Sequence, residues 1–229
     1  MSAIFVAGTD TNVGKTHVCG LLLDFLLKEG VKAGYQKWVA TGPESPPADL
    51  EACLRMAGVP FAPELVSSQV VCHFALPASP HLAAEHAGTV VDPALIRARY
   101  QEMLARYELL IVEGVGGVMV PLRRDLLLAD LLRELKAPTL VVAKSGLGTI
   151  NHTLLTLEAL RHREIPVLGV VFSDGESGED VLLVEDNMRT IAEMGRVEVF
   201  GRLRRLADPA QARADFLPVG LAIAGALRG

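Results

Sequence analysis

The chain has 229 residues, half of them apolar, which suits one medium-sized domain with a large core. A formal charge of −5 argues against a nucleic-acid surface, and no apolar run approaches the roughly 20 residues a membrane helix needs. Cys19, Cys53 and Cys72 are odd in number and not at metal spacing, so they read as reduced core thiols of a cytoplasmic protein without a signal peptide.

Residues 3–7 are a short apolar run that reads as a strand, and residues 18–27 are apolar-periodic and read as a helix. Between them lies Gly8-Thr9-Asp10-Thr11-Asn12-Val13-Gly14-Lys15-Thr16. Strand, glycine loop ending in Gly-Lys-Thr, then helix is the P-loop arrangement. Its backbone N–H groups converge on phosphate oxygens, Lys15 reaches the outer phosphates and the Thr16 hydroxyl sits on Mg²⁺. Five residues separate Gly8 from Gly14, where the usual pattern has four.

Residues 31–39 read as a second strand with Lys37 near its end, followed by Thr41 and a Pro-rich loop. Residues 48–58 read as a helix with Asp49 in its first turn. Spacing alone leaves Asp49 as a helix-dipole carboxylate and Lys37 as a solvated strand-end lysine, or both as site residues. Residues 66–74 are weakly strand-like. Ser79 is a possible N-cap of a short helix. His81, Glu85 and His86 do not form H-E-x-x-H and read as ordinary helix residues. Asp92-Pro93 opens a clear helix, with Leu95, Ile96, Tyr100 and Leu104 as its apolar face.

Residues 109–112 are a continuous apolar strand ending in Glu113-Gly114-Val115-Gly116-Gly117. An acidic residue at that point is where a P-loop enzyme holds Mg²⁺ or its water. Residues 126–136 read as a helix and 139–143 as a buried strand. Gly146 to His152 leads into a helix running to about residue 162, a second anion site in waiting or a plain cap. Residues 167–172 form the next strand, ending at Ser173-Asp174. A loop at 175–178, a helix at 180–194 and a short last strand at 197–200 follow. The stretch beyond about 205 is helix or loop without a readable motif.

Strands alternate with helices throughout, so the expected fold is a single doubly wound α/β domain over residues 1–229. It has a mostly parallel sheet and helices on both faces. Residues 8–16, 37–41, 113–117, 144–151, 173–174 and 201–205 all fall at carboxyl ends of strands, where such folds bind ligands, and that shared edge argues for one site.

The extended loop with its Gly-Lys-Thr, Lys37, Ser79-Pro80-His81, Glu113-Gly114-Val115-Gly116-Gly117 and Gly148-Thr149-Ile150-Asn151-His152 together resemble the ATP-dependent dethiobiotin synthetase family. The resemblance implies ATP-dependent closure of 7,8-diaminopelargonic acid and CO₂ to a cyclic urea, through a carbamate and a carbamic-phosphoric anhydride. It assigns catalysis to Lys37, Lys15 and Thr11. It assigns the nucleotide to Asn12, Val13, Gly14, Lys15, Thr16 and His17, and further along to Asp49, Glu113, Gly114, Val115, Gly116, Ser173, Asp174, Arg202, Leu203 and Arg204. Substrate falls to Thr11, Lys37, Thr41, Gly148, Thr149, Ile150 and Asn151. Mg²⁺ falls to Thr16, Asp49 and Glu113. ATP is the expected co-substrate, with other nucleoside triphosphates open. The implied assembly is a homodimer with the substrate across its interface, Gly148 to Asn151 coming from the partner chain.

Four positions depart from the family pattern. Ser173 stands where the better-known members have Asn to read adenine, and Arg204 where they often have Pro, which leaves base selectivity open. Asn12 replaces a frequent Glu, and Asn187 a Tyr of some members. Three other readings compete. An amidotransferase-type synthetase needs a glutaminase domain for which there is no room. A partitioning or positioning switch ATPase needs a lysine early in the loop, which Gly8-Thr9-Asp10-Thr11 lacks. A catalytically dead module does not account for Lys15, Thr16, Lys37 and Glu113.

Overall fold

The computed structural model describes residues 2–175 and 179–228, so the expected loop lies outside the described residues after Gly175. β1 (Ser2–Gly8) is followed by α1 (Lys15–Lys28), β2 (Ala33–Thr41) and α2 (Ala48–Ala57). After a 3-10 turn come α3 (Val66–Gln69), β3 (Val70–Phe74), α4 (Pro80–His86) and α5 (Pro93–Arg106). β4 (Leu109–Gly117) leads into a two-stranded antiparallel ribbon, β5 (Pro121–Arg123) and β6 (Leu126–Leu127), and then α6 (Leu128–Leu135). The chain continues through β7 (Thr139–Lys144), α7 (Thr149–His162), β8 (Val167–Ser173), α8 (Val181–Gly195), β9 (Val199–Leu203) and α9 (Pro209–Ala226).

Seven strands form one sheet in the order β3-β2-β4-β1-β7-β8-β9, and every pairing in it is parallel. The alternation of side chains along β1 shows why it sits at the centre. Ala3, Phe5 and Ala7 enter one core with Ile96 and Met103 of α5 and Leu157 of α7. Ile4 and Val6 enter another with Leu22 of α1, Leu50 of α2 and Phe216 of α9. A strand apolar on both faces must be covered by helices on both. The doubly wound α/β fold expected from the alternation is the fold observed. Because all seven strands run the same way, Gly8, Thr41, Gly117, Ser173 and Leu203 end at one edge.

Several local expectations needed correction. Residues 66–69 are helical, and only 70–74 pair in the sheet. Buried Gln36 donates to the Ser68 carbonyl at 2.9 Å, which ties that polar turn to β2. Residues 126–127 belong to the ribbon, paired with β5 across Arg124-Asp125. The last strand begins at Val199 and runs to Leu203, because pairing with β8 starts only at Val170↔Val199. On α5 the buried side chains are Ile96, Tyr100 and Met103, spaced by one and two turns, whereas Leu95 lies about 100° off that stripe and is exposed. Ser79 occupies the N-cap position of α4 but makes no side-chain cap bond. Asp92 does cap α5, accepting from the Ala94 N–H at 2.8 Å. The C-terminal stretch is an 18-residue helix opened by Asp208, which accepts from the Ala210 N–H. Among the described residues no helix is long and apolar enough to cross a membrane, and no His/Cys/Asp/Glu group of three assembles at His81 or elsewhere.

Candidate active site

The loop between β1 and α1 is built for close packing of backbone against ligand. Gly14 is the N-cap of α1 at φ 98°, a left-handed conformation that glycine adopts without penalty. A Cβ on Gly8 would meet the Asp10 carbonyl at 2.7 Å and Lys15 Nζ at 2.8 Å, so only glycine fits where the lysine folds back. Lys15 Nζ donates to the Asp10 carbonyl at 3.0 Å. Burial, and then the nearby Lys37, bring Lys15 down to about 8, with Glu113 opposing them. The α1 N–H groups at 15–17 have no partners within the helix and remain for an anion.

Opposite the loop, three chain segments meet. Thr16 Oγ1 lies 3.0 Å from Asp49 Oδ1 and 2.9 Å from Glu113 Oε1, so one hydroxyl proton is shared between two carboxylates. Lys37 Nζ sits between the same acids, 2.7 Å from Asp49 Oδ2 and 2.5 Å from Glu113 Oε1, and donates to the Gly114 carbonyl at 3.2 Å. Glu113 is almost wholly buried, and its second oxygen, Oε2, accepts from the Tyr35 hydroxyl at 2.8 Å. Burial alone would lower Lys37, but the attraction of Glu113 and Asp49 outweighs it and holds the ammonium charged. Asp49 responds in kind. Burial raises its carboxyl, and the Lys37 ion pair and the Thr16 bond lower it further than that. Asp49 is therefore more than a helix-dipole carboxylate, and Lys37 is buried and paired, not solvated.

These groups open on one hollow of about 770 Å³. Thr11, Asn12, Gly14 and His17 line it from the loop, and Thr41 from the end of β2. Val115 and Gly116 line it from β4. Val13 is buried beneath the loop in the core. A hydroxyl and two carboxylates within hydrogen-bond reach of each other form a hard-oxygen set, which would suit Mg²⁺. Burial, then Arg205, push the His17 imidazole down to about 4, so the ring is neutral near pH 7.

The remaining sequence-derived positions fall elsewhere. Ser173 and Asp174 end β8 beside the loop, but Asp174 is held by Arg202, with Nε at 2.8 Å from Oδ1. Leu203 points into the core. Arg204 is turned to Asp215 at 2.6 Å, away from the hollow. Gly148 is the left-handed N-cap of α7, and Thr149 is fully buried behind it. Neither they nor Ile150 and Asn151 line the hollow. Buried Asn187 donates to the Ser145 carbonyl at 3.0 Å and so fixes the turn before α7. Sequence reasoning placed Arg205 at the shared strand-end edge without giving it a role, and missed Tyr35. Tyr35 alternates with Lys37 along β2 and shares its face, a signal that period-2 counting offers.

A family model described as an AAA domain matches residues 2–213. The ATP-dependent dethiobiotin synthetase BioD of Novosphingobium aromaticivorans is 42% identical over 217 residues, covering 93% of this chain and 95% of that protein. The chain belongs to the ATP-dependent dethiobiotin synthetase family. Its archaeal relatives include the protein of the same description from Methanocaldococcus jannaschii, 36% identical over 209 residues, 90% of this chain and 95% of that one. Solved structures extend the fold beyond the synthetase family. Cyanthece apo McdA superposes with a TM-score of 0.61 at 14% identity over 99% of both chains. The MinC:MinD complex of Aquifex aeolicus gives 0.58 at 13% identity, covering 100% of this chain and 95% of that one. At such identities the likeness is one of fold alone.

Proposed function

We propose that this protein makes dethiobiotin from 7,8-diaminopelargonic acid, CO₂ and ATP, and that the hollow between the P-loop and β4 is where it does so. The observation that carries the reading is the meeting of Thr16, Lys37, Asp49 and Glu113 at the mouth of the loop, in a chain of this family. One amine of the substrate takes up CO₂ as a carbamate. A carbamate oxygen attacks the γ-phosphorus, and ADP leaves with the bridging electron pair. The second amine then attacks the carbamoyl carbon, and the ring closes as phosphate departs with the C–O electrons.

The carbamate, the γ-phosphate and the phosphoryl-transfer transition state are all anionic, so the protein's contribution is cations and N–H donors fixed in advance. The free N–H groups at the start of α1 and Lys15 hold the phosphates. Lys37 swings from its two carboxylates to the transferring phosphoryl group. Thr16, Asp49 and Glu113 hold Mg²⁺, which when bound neutralises the phosphate charge. Thr11 and Thr41 hydrogen-bond the carbamate or a diamine nitrogen. Ring closure then needs chiefly that amine and anhydride be held together.

The reading extends to the assembly. One domain spans the chain, and two copies form a dimer in which the α7 N-terminus of the partner holds the substrate carboxylate. The enzyme is cytoplasmic. The test is phosphate release from Mg-ATP and bicarbonate with and without the diamine. Strict diamine dependence with a cyclic urea of the expected mass supports the reading. Diamine-independent hydrolysis would shift it to a switch ATPase acting on a protein partner.

A further inference from the structure

We propose that the nucleotide site is base-tolerant, taking purine and pyrimidine triphosphates with comparable efficiency, an inference that rests on the hollow being a nucleoside triphosphate site. The side chains to which the family resemblance assigns base reading are turned to other tasks. Ser173 is 2% exposed, its Oγ has no hydrogen-bond partner, and it lies where a Cβ on Gly14 would be. It packs under the P-loop and does not reach outward. Both Asp174 oxygens are taken by the Arg202 guanidinium, from Nε at 2.8 and 3.1 Å and from Nη2 at 2.8 Å. That fork is itself fixed by the Glu179 carbonyl at 3.1 Å. Arg204 is committed to Asp215.

What lies beside the phosphate pocket is a second hollow of about 540 Å³, continuous with the first through His17, Arg55, Met56 and Arg205. Leu21 and Leu206 add apolar wall. Among the described residues, no carboxylate or amide side chain lines it. A base there is held by apolar contact and by guanidinium planes, which every base satisfies with its π-face. His17, which lines both hollows, has a buried ring nitrogen, Nε2, without a hydrogen-bond partner. An imidazole offers one N–H and one lone pair, so it can meet a donor or an acceptor on whichever base is bound. A pocket that hydrogen-bonds its ligand rejects the wrong one by about 10⁴-fold or more, whereas apolar contact separates ligands by about 10- to 200-fold at most.

The experiment compares ATP, GTP, CTP and UTP on the wild-type protein in two ways: displacement of a fluorescent nucleotide, and diamine-dependent phosphate release. Values of Kd and kcat/KM spread over no more than about 200-fold, the ceiling for contact without directional readout, are expected. A preference for one base above that ceiling in both series would overturn the proposal. Absence of cyclic urea with all four nucleotides would refute the synthetase reading, while the displacement series would still decide base tolerance.

Discussion

Tyr35 donates its hydroxyl to Glu113 Oε2 at 2.8 Å, on the carboxylate oxygen that neither Lys37 nor Thr16 uses. Glu113 thus has both oxygens engaged while buried, which fixes how its other oxygen faces the hollow. Tyr35→Phe removes the donor and leaves one buried carboxylate oxygen unpaired. The expected cost is about 1–3 kcal/mol of stability, read by urea unfolding, together with a weaker Mg²⁺ dependence of turnover. Unchanged unfolding and an unchanged Mg²⁺ titration would show that Tyr35 does not position Glu113.

Lys37 neutralises two acids and, in the proposed mechanism, also serves the transferring phosphoryl group. Lys37→Ala should therefore leave nucleotide binding largely intact and abolish turnover. It also leaves Asp49 and Glu113 facing each other without a cation. Added Mg²⁺ should then raise the melting temperature of Lys37→Ala more than that of the wild type, since a ligand bound more tightly by the folded state stabilises it more. Wild-type turnover in the variant would remove Lys37 from catalysis. Equal Mg²⁺ shifts would remove it from the acids' electrostatic balance.

Thr16 contributes one hydroxyl, and Val has nearly its shape. Thr16→Val should raise the Mg²⁺ concentration required for activity sharply while the fold is kept. A titration that overlays the wild type would take Thr16 out of the metal set.

The thiols should be quiet. Burial, with Asp92 nearby, pushes Cys72 up to about 11, and burial raises Cys19 and Cys53 well above their ordinary range. Raised values mean that the neutral thiol persists through pH 8, and only the thiolate is nucleophilic. Cys72, the most accessible of the three, should alkylate about 100-fold more slowly in the native than in the unfolded protein at pH 8, from a two-unit difference in pKa. Its native rate should climb until about pH 11. Fast native labelling at pH 7.5 would contradict that environment.

The sheet was legible because its signals are local and periodic. Continuous apolar strands such as 109–112 predict burial on both faces, and the loop from Gly8 to Thr16 carries its own chemistry in its spacing. The same Asp-Pro start that marks α5 at Asp92 also marks α9 at Asp208, so that helix start is readable from its sequence too. The β5–β6 ribbon was less accessible, since two- and three-residue strands have too few residues to show a period.

Within the site, Lys15 and Thr16 could be placed from the motif alone. Asp49 and Lys37 could not, because a first-turn acid and a strand-end lysine have ordinary structural explanations, and only the fold brings Nζ and Oδ2 to 2.7 Å. The Asp174–Arg202 pair was hidden for the same reason. Its partners lie 28 positions apart, one on β9 and one just past the end of β8, and the register of those strands is not stated by the sequence.

The central position of β1 has a consequence for how the chain matures. β1 is synthesised before the other six strands of its sheet, yet its neighbours are β4 and β7, whose pairing residues run from Leu109 to Val142. Until most of the polypeptide has been made, the strand that carries the phosphate loop has two open edges and no sheet to join. Nucleotide therefore cannot act as an early folding template. Protection of the P-loop by nucleotide, measured on nascent chains of increasing length, should appear late and in one step, once β7 has emerged.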